Sequence, residues 1–313
     1  MNHHEQLTFF FNGQFPKSDT RTFIKYIGSK KTVRHTIFSV FPDDMTELVS
    51  LFIGSGGFEL YAAANGVRVY GYDKFNLLVR LWNIMLTPEK VPLVAQRVDD
   101  IFPIADTNYL SDLIKTDKIR QIEDDIEFAS LAICMARQTF NAYFLNQTYF
   151  RDSENRHMKN KKLVKGSLMN VSDWNDWQSP NLTVSCKDWK DSLVNHKDNI
   201  LYCDPPYVDK RSQKYYGPYR TQKYHKLLVE EWNFDHVEFA EAMKTHNNGW
   251  AISYVDNPLL RELYQDYDVL FLEWARPMLV VHPQSSNKKE ILILKPPCQH
   301  PLAIPYRNVK EEA

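Results

Sequence analysis

The tetrapeptide Asp204-Pro205-Pro206-Tyr207 combines the residue types needed to hold an amine that is a poor nucleophile. The amino group of a nucleobase delocalises its lone pair into the ring, and a site that uses it must localise that pair by accepting its N–H bonds. The Asp204 carboxylate and the Pro205 carbonyl supply two acceptors, the prolines fix the backbone that carries them, and the Tyr207 ring can stack on a base. Such a corner suits attack of the amine on an electrophilic methyl group, a displacement that needs in-line approach more than acid–base power. A base inside a duplex cannot reach it, so the target must be flipped out, at a cost on the order of a few kcal/mol. The apolar run 199–203 reads as a buried strand that the prolines end. Asp204 is thereby expected at a strand's carboxyl edge, where open α/β sheets place ligands.

A second constellation lies upstream. Phe52-Ile53-Gly54-Ser55-Gly56-Gly57-Phe58 follows a strand pattern and opens a helix pattern, so that small residues permit a tight turn and let backbone amides approach a ligand. Roughly twenty residues after Gly54, Asp73 ends a second strand, the position from which a carboxylate accepts hydrogen bonds from ribose hydroxyls. The same features also fit a packing turn and a helix cap at Asp73. Phe58 and Glu59 follow the third glycine, a departure from G-x-G-x-x-G that argues against a dinucleotide with its pyrophosphate. A cofactor lacking phosphate, such as S-adenosyl-L-methionine, fits better.

With both motifs in this order, residues 21–295 resemble the Dam-type (D12 class, alpha group) N6-adenine DNA methyltransferases. The resemblance implies a Rossmann-like S-adenosylmethionine-dependent sheet and catalysis by Asp204, Pro205, Pro206 and Tyr207. Phe23-Ile24-Lys25-Tyr26-Ile27-Gly28-Ser29-Lys30 is similar to the family's amino-terminal motif, which implies cofactor contacts from Tyr26 and Lys30. Val184-Ser185-Cys186-Lys187-Asp188-Trp189 resembles the element beside the cofactor adenine, with Asp188 accepting its amino group and Trp189 packing on its ring. Phe52, Gly54, Ser55, Gly56, Asp73 and Asp204 complete the implied cofactor set. Phe234-Asp235-His236, residues 253–258 and Glu290-Ile291-Leu292-Ile293 resemble elements of the remaining sheet and the target-pocket wall. One position departs from the family: the acid usual four positions before the first loop glycine is Ser50 here. Either the methionine end finds other partners, or cofactor affinity is weakened.

The elements that must position these residues alternate as in an α/β fold. Strand patterns cover residues 48–53, 67–72, 250–254, 268–274 and 290–294, with others near Leu182 and Ile200. Helix patterns cover 57–65, 75–86, 118–136, 236–246 and 258–267, whereas 88–103 reads as a break of prolines and charges. The expected organisation is a discontinuous catalytic domain at 21–95 and 182–296, with a mainly helical target-recognition insertion at 96–181. Terminal extensions are expected at 1–20 and 297–313.

A formal charge of -1 gives no bulk attraction to a polyanion, so contacts with double-stranded DNA must come from local patches. Arg211, Lys214 and Arg220 interleave with Tyr215 and Tyr216 directly after Tyr207, which suits phosphates and unstacked bases. Lys161 and Lys162 form a second basic group, and Arg137 and Asn141 flank the start of the recognition region. Four dispersed cysteines disfavour a disulfide framework or zinc site, no metal cluster is expected, and no apolar stretch reaches a membrane span. These features fit a cytoplasmic protein, nuclear in a eukaryotic host, and the family resemblance implies a nucleoid-associated monomer or weak dimer with a cognate restriction endonuclease as a possible partner. Methylation of RNA adenine N6 or DNA cytosine N4, and a non-catalytic nucleic-acid-binding relative, remain open alternatives.

Overall fold

The computed structural model describes residues 22, 24, 28–101, 107–138, 150–151, 157–158, 181–207, 234–272 and 290–309. The first elements are α1 (Arg34–Phe38), β1 (Glu47–Ser50), α2 (Glu59–Ala64), β2 (Arg68–Asp73) and α3 (Asn76–Met85). Three helices follow, α4 (Val91–Ile101), α5 (Thr107–Lys115) and α6 (Asp125–Gln138), then a two-stranded ribbon of β3 (Phe150–Arg151) and β4 (His157–Met158). The alternation resumes with β5 (Leu182–Cys186), α7 (Trp189–Asn195), β6 (Leu201–Cys203), α8 (His236–Thr245), β7 (Trp250–Val255) and α9 (Pro258–Leu263). It closes with β8 (Asp268–Leu272), β9 (Glu290–Lys295) and β10 (Ile304–Pro305).

Eight strands form one sheet in the order β10-β8-β9-β7-β6-β1-β2-β5. From β7 through β5 the strands are parallel, while β9 runs antiparallel to both β7 and β8. A sheet covered on both faces needs apolar side chains in both directions, which is why β6, β7 and β9 read as nearly continuous hydrophobic runs. Leu48 enters one core with Phe58, Trp82 and Phe128, and its neighbour Val49 enters the other with Leu201, Phe239 and Trp250. This architecture bears out the α/β, Rossmann-like expectation.

The chain leaves β1 toward β2 and β5 on one side and returns on the other side as β6 and β7. The carboxyl ends of β1 and β6 therefore carry loops that diverge in opposite directions, and the crevice between such loops is the usual ligand position in an open α/β sheet.

Two local expectations are corrected. The helix expected over 118–136 begins only at Asp125, because Asp117 adopts a left-handed conformation (φ 57°) and opens a 3-10 turn at Lys118–Gln121. The stretch 88–103, expected to be broken, contains α4. Pro92 lies in its first turn, where a missing N–H removes no helical bond, and Val94, Val98 and Ile101 pack into the core. Within the stretch set apart as the carboxyl-terminal extension, Ile304–Pro305 pairs with β8, and the Tyr306 hydroxyl donates to Asp256 at 2.8 Å. Among the described residues no helix is long and apolar enough to cross a membrane.

Candidate active site

The loop between β1 and α2 is tied to the neighbouring strand at two points. Ile53 N–H donates to the Tyr72 carbonyl at 2.8 Å, and Gly54 N–H donates to Asp73 Oδ2 at 3.1 Å. Gly56 is left-handed (φ 65°), and a Cβ there would meet the Trp82 ring at 2.6 Å. The same indole donates to the Gly54 carbonyl at 2.9 Å, so α3 clamps the turn from one side. Asp73 Oδ1 also accepts from Phe75 N–H at 2.9 Å. Asp73 is thus not the helix cap, a place that Phe75 takes; its carboxylate instead ties the glycine loop to the turn that leads into α3.

The amino-terminal segment docks on the loop from the other side. A Cβ on Gly57 would lie 2.9 Å from Ser29 Oγ and 3.0 Å from the Lys31 nitrogen, so glycine permits the approach. Ser55 and Ser29 hydroxyls are 3.2 Å apart. The docking carries Lys30, only 3% exposed, into the crevice. Its Nζ donates to the Gly28 carbonyl at 2.8 Å and to Asp204 Oδ2 at 2.6 Å, and lies 3.3 Å from Glu290 Oε1. It also sits 5.2 Å from the centre of the Tyr207 ring, whose hydroxyl donates to Glu290 Oε1 at 2.5 Å. The residues from both ends of the chain therefore converge on Asp204.

Burial and charge oppose each other in this cluster. Burial alone would lower the Lys30 pKa, but the Asp204 and Glu290 carboxylates outweigh it and the ammonium is held above its ordinary value. Burial pushes Asp204 up, the neighbouring Lys30 ammonium pulls it back, and Glu290 adds to the rise. Burial raises the Tyr207 phenol well above its usual range, so it remains a donor. Glu290 Oε2 is buried with no hydrogen-bond partner among the described residues.

Beneath the loop lies a second buried acid. Ser50, at the end of β1, donates to Glu59 Oε1 at 2.7 Å, and Glu59 is the first residue of α2. Burial pushes the Glu59 carboxyl up to about 7, against the pull of the Ser50 bond. With Asp73, Asp204 and Glu290, four acids of this crevice stand against the one ammonium of Lys30 among the described residues. That donor set repels a pyrophosphate and fits a nucleoside carrying a sulfonium cation.

Asp188 and Trp189 follow the carboxyl end of β5, next to Asp73 on the same edge of the sheet. Asp188 caps α7 by accepting from Lys190 N–H at 3.1 Å and lies 3.6 Å from Lys74 Nζ, while Lys187 N–H bonds the Asp73 carbonyl at 3.1 Å. Trp189 is buried, with the Phe239 ring edge-on at 5.1 Å. Phe52 and Phe234 join the same aromatic cluster. Pro205 is buried, and Pro206 is partly exposed.

The structure thus brings Lys30, Phe52, Gly54, Ser55, Gly56, Asp73, Asp188, Trp189, Asp204, Pro205, Pro206 and Tyr207 to one edge of the sheet. Arg137 lies in the last turn of α6. Tyr26, Asn141, Lys161, Lys162, Arg211, Lys214, Tyr215, Tyr216 and Arg220 lie outside the described residues. Sequence reasoning did not single out Glu59 or Glu290 as site residues. Their signals were faint: an acid heading the helix after the glycine loop, and one opening an otherwise apolar strand.

Residues 26–278 match the D12 class N6 adenine-specific DNA methyltransferase family. The chain belongs to that family. Its activity is accordingly N6 methylation of adenine in DNA with an S-adenosylmethionine-type methyl donor. No curated protein matches the chain. For this methyltransferase, the family match spans the Lys30, Gly54, Asp73, Asp188 and Asp204 positions together, while Glu290 lies beyond it.

Two outcomes follow from the electrostatics. Among the described residues Lys30→Met leaves Asp204 with no opposing charge, and methyl transfer at pH 7 should fall by about a hundredfold or more in kcat, with KM for DNA little changed; wild-type kcat would contradict the role. Glu59 binds its proton more tightly in the folded chain than at its ordinary value of 4.5. Its contribution to stability is therefore largest below that value and is lost as pH rises through about 7. The gap amounts to on the order of 3 kcal/mol. Urea unfolding from pH 5 to 8 should show wild type losing about that much more stability than Glu59→Gln; parallel profiles would refute the assignment.

Proposed function

We propose that this methyltransferase moves a methyl group from S-adenosyl-L-methionine to N6 of one adenine, flipped out of double-stranded DNA within a specific sequence. The observation that carries the reading is Asp204, held by Lys30 at the carboxyl end of β6 and facing the glycine loop across the switch point. The cofactor, when bound, supplies the methyl group from its sulfonium.

The chain's own residues do the rest. Asp204 and the Pro205 carbonyl accept the two N–H bonds of the adenine amine, which raises lone-pair density on N6 along the direction of attack. Lys30 pulls Asp204 toward its ionised, accepting form against the burial that favours its proton. Two prolines hold both acceptors in place before the base arrives. The ring of Tyr207, anchored by its hydroxyl on Glu290, offers a face to the flipped base. Asp73 takes the ribose hydroxyls of the cofactor, Asp188 its adenine amino group, and Phe52 and Trp189 its ring.

In the same reading Arg211, Lys214, Tyr215, Tyr216 and Arg220 follow the target pocket along the DNA, with Arg137, Asn141, Lys161 and Lys162 contributing from the recognition region. Partnership with a restriction endonuclease and a monomeric or weakly dimeric state complete the proposal.

Expression in a host without adenine methylases, followed by nucleoside mass spectrometry and methylation-sensitive sequencing, tests it. N6-methyladenine at one recurring sequence is expected from wild type and none from Asp204→Ala. Methylcytosine, unmodified DNA, or equal modification by both proteins would count against the reading.

A further inference from the structure

We propose that Glu59, oriented by Ser50, accepts the cationic amino group at the methionine end of the cofactor. The inference rests on the cofactor reading above. Ser50 occupies the position from which its family would present an acid, and a hydroxyl there cannot balance a positive charge. The structure supplies a carboxylate nine residues later, on the other side of the glycine loop, and joins the two by a hydrogen bond of 2.7 Å. The loop cradled between β1 and α2 therefore has a buried acid at its base.

The surroundings of Glu59 explain why that acid suits a ligand. The charged groups that act on it are Lys30 and Asp204, which already bond each other at 2.6 Å. The Tyr202 phenol, also within its electrostatic reach, donates no compensating charge and is bonded to Ser253. Among the described residues Glu59 thus has a hydroxyl donor and no cation of its own. A buried carboxylate without a cation is costly, and the group answers by holding its proton. An arriving ammonium reverses the balance: the Glu59 O–H bond breaks, its proton passes to the buffer, and the carboxylate accepts an N–H bond in its place. The acid usual on β1 is then replaced in function by one on α2, and the cofactor's amino-acid end binds with coupled proton release.

Titration calorimetry of the full-length protein with S-adenosylmethionine at pH 6.5, where an α-amino group is still charged, tests this. Comparison of two buffers of different ionisation enthalpy should reveal net proton release by wild type, and affinity should rise between about pH 6 and 7.5. Glu59→Gln should abolish the release and weaken S-adenosylmethionine at least about tenfold. 5′-Methylthioadenosine, which keeps the nucleoside and sulfur but lacks the amino-acid end, should bind both proteins alike, which also shows that the variant site is folded. The proposal is overturned if wild type releases no proton, if Glu59→Gln binds S-adenosylmethionine normally, or if it loses both ligands equally. Failure of wild type to bind S-adenosylmethionine at all would instead overturn the cofactor reading, and this inference with it.

Discussion

A single buried ammonium organises the reactive edge of this protein. Lys30 comes from the segment before α1, Asp204 from the end of β6 and Glu290 from the start of β9, and the three meet within 3.3 Å. Neither charge type is tolerable there alone. Removing one partner of a buried ion pair typically costs about 3–5 kcal/mol, because the other is left uncompensated. The cluster therefore locks three distant segments to the sheet edge, and the DPPY corner inherits its geometry from that lock.

The reversed strand is what makes the arrangement possible. In a wholly parallel sheet the first residue of a strand lies at the edge opposite the ligand crevice. Because β9 runs antiparallel to β7, Glu290 pairs with Val255, the last residue of β7, and arrives beside the carboxyl ends of the parallel strands. An acid that opens a strand can thus hold Tyr207 and share Lys30 with Asp204. A similar economy operates at Ser50 and Glu59, where a short loop lets two elements contribute one hydrogen-bonded pair to the base of the crevice.

Much of this was legible in the sequence wherever the signal was local. The glycine loop, Asp73 and Asp204 each sit at a strand end marked by an apolar run and a breaker, so their common edge follows from the α/β alternation alone. Glu59 and Glu290 were not legible, because their significance depends on which side chains the fold sets against them. Lys30 was recognised, but as a cofactor contact; its bond to Asp204 spans 174 positions and has no local trace. The helix boundaries that went astray, at Asp125 and in α4, turned on one left-handed aspartate and on a proline harmless in a first turn. Apart from Arg137 in α6, the basic and aromatic residues expected to meet DNA lie outside the described residues, and their roles remain part of the proposal.

The central claim is that Lys30 keeps Asp204 ionised in a site whose burial favours the proton. Carbon-13 NMR of the aspartate side-chain carboxyls, with Asp204 assigned by its absence in Asp204→Asn, reads that claim directly. In wild type the Asp204 signal should be that of a carboxylate at pH 7, and in Lys30→Met its titration midpoint should rise by at least about one pH unit. An unchanged midpoint in Lys30→Met would contradict the account.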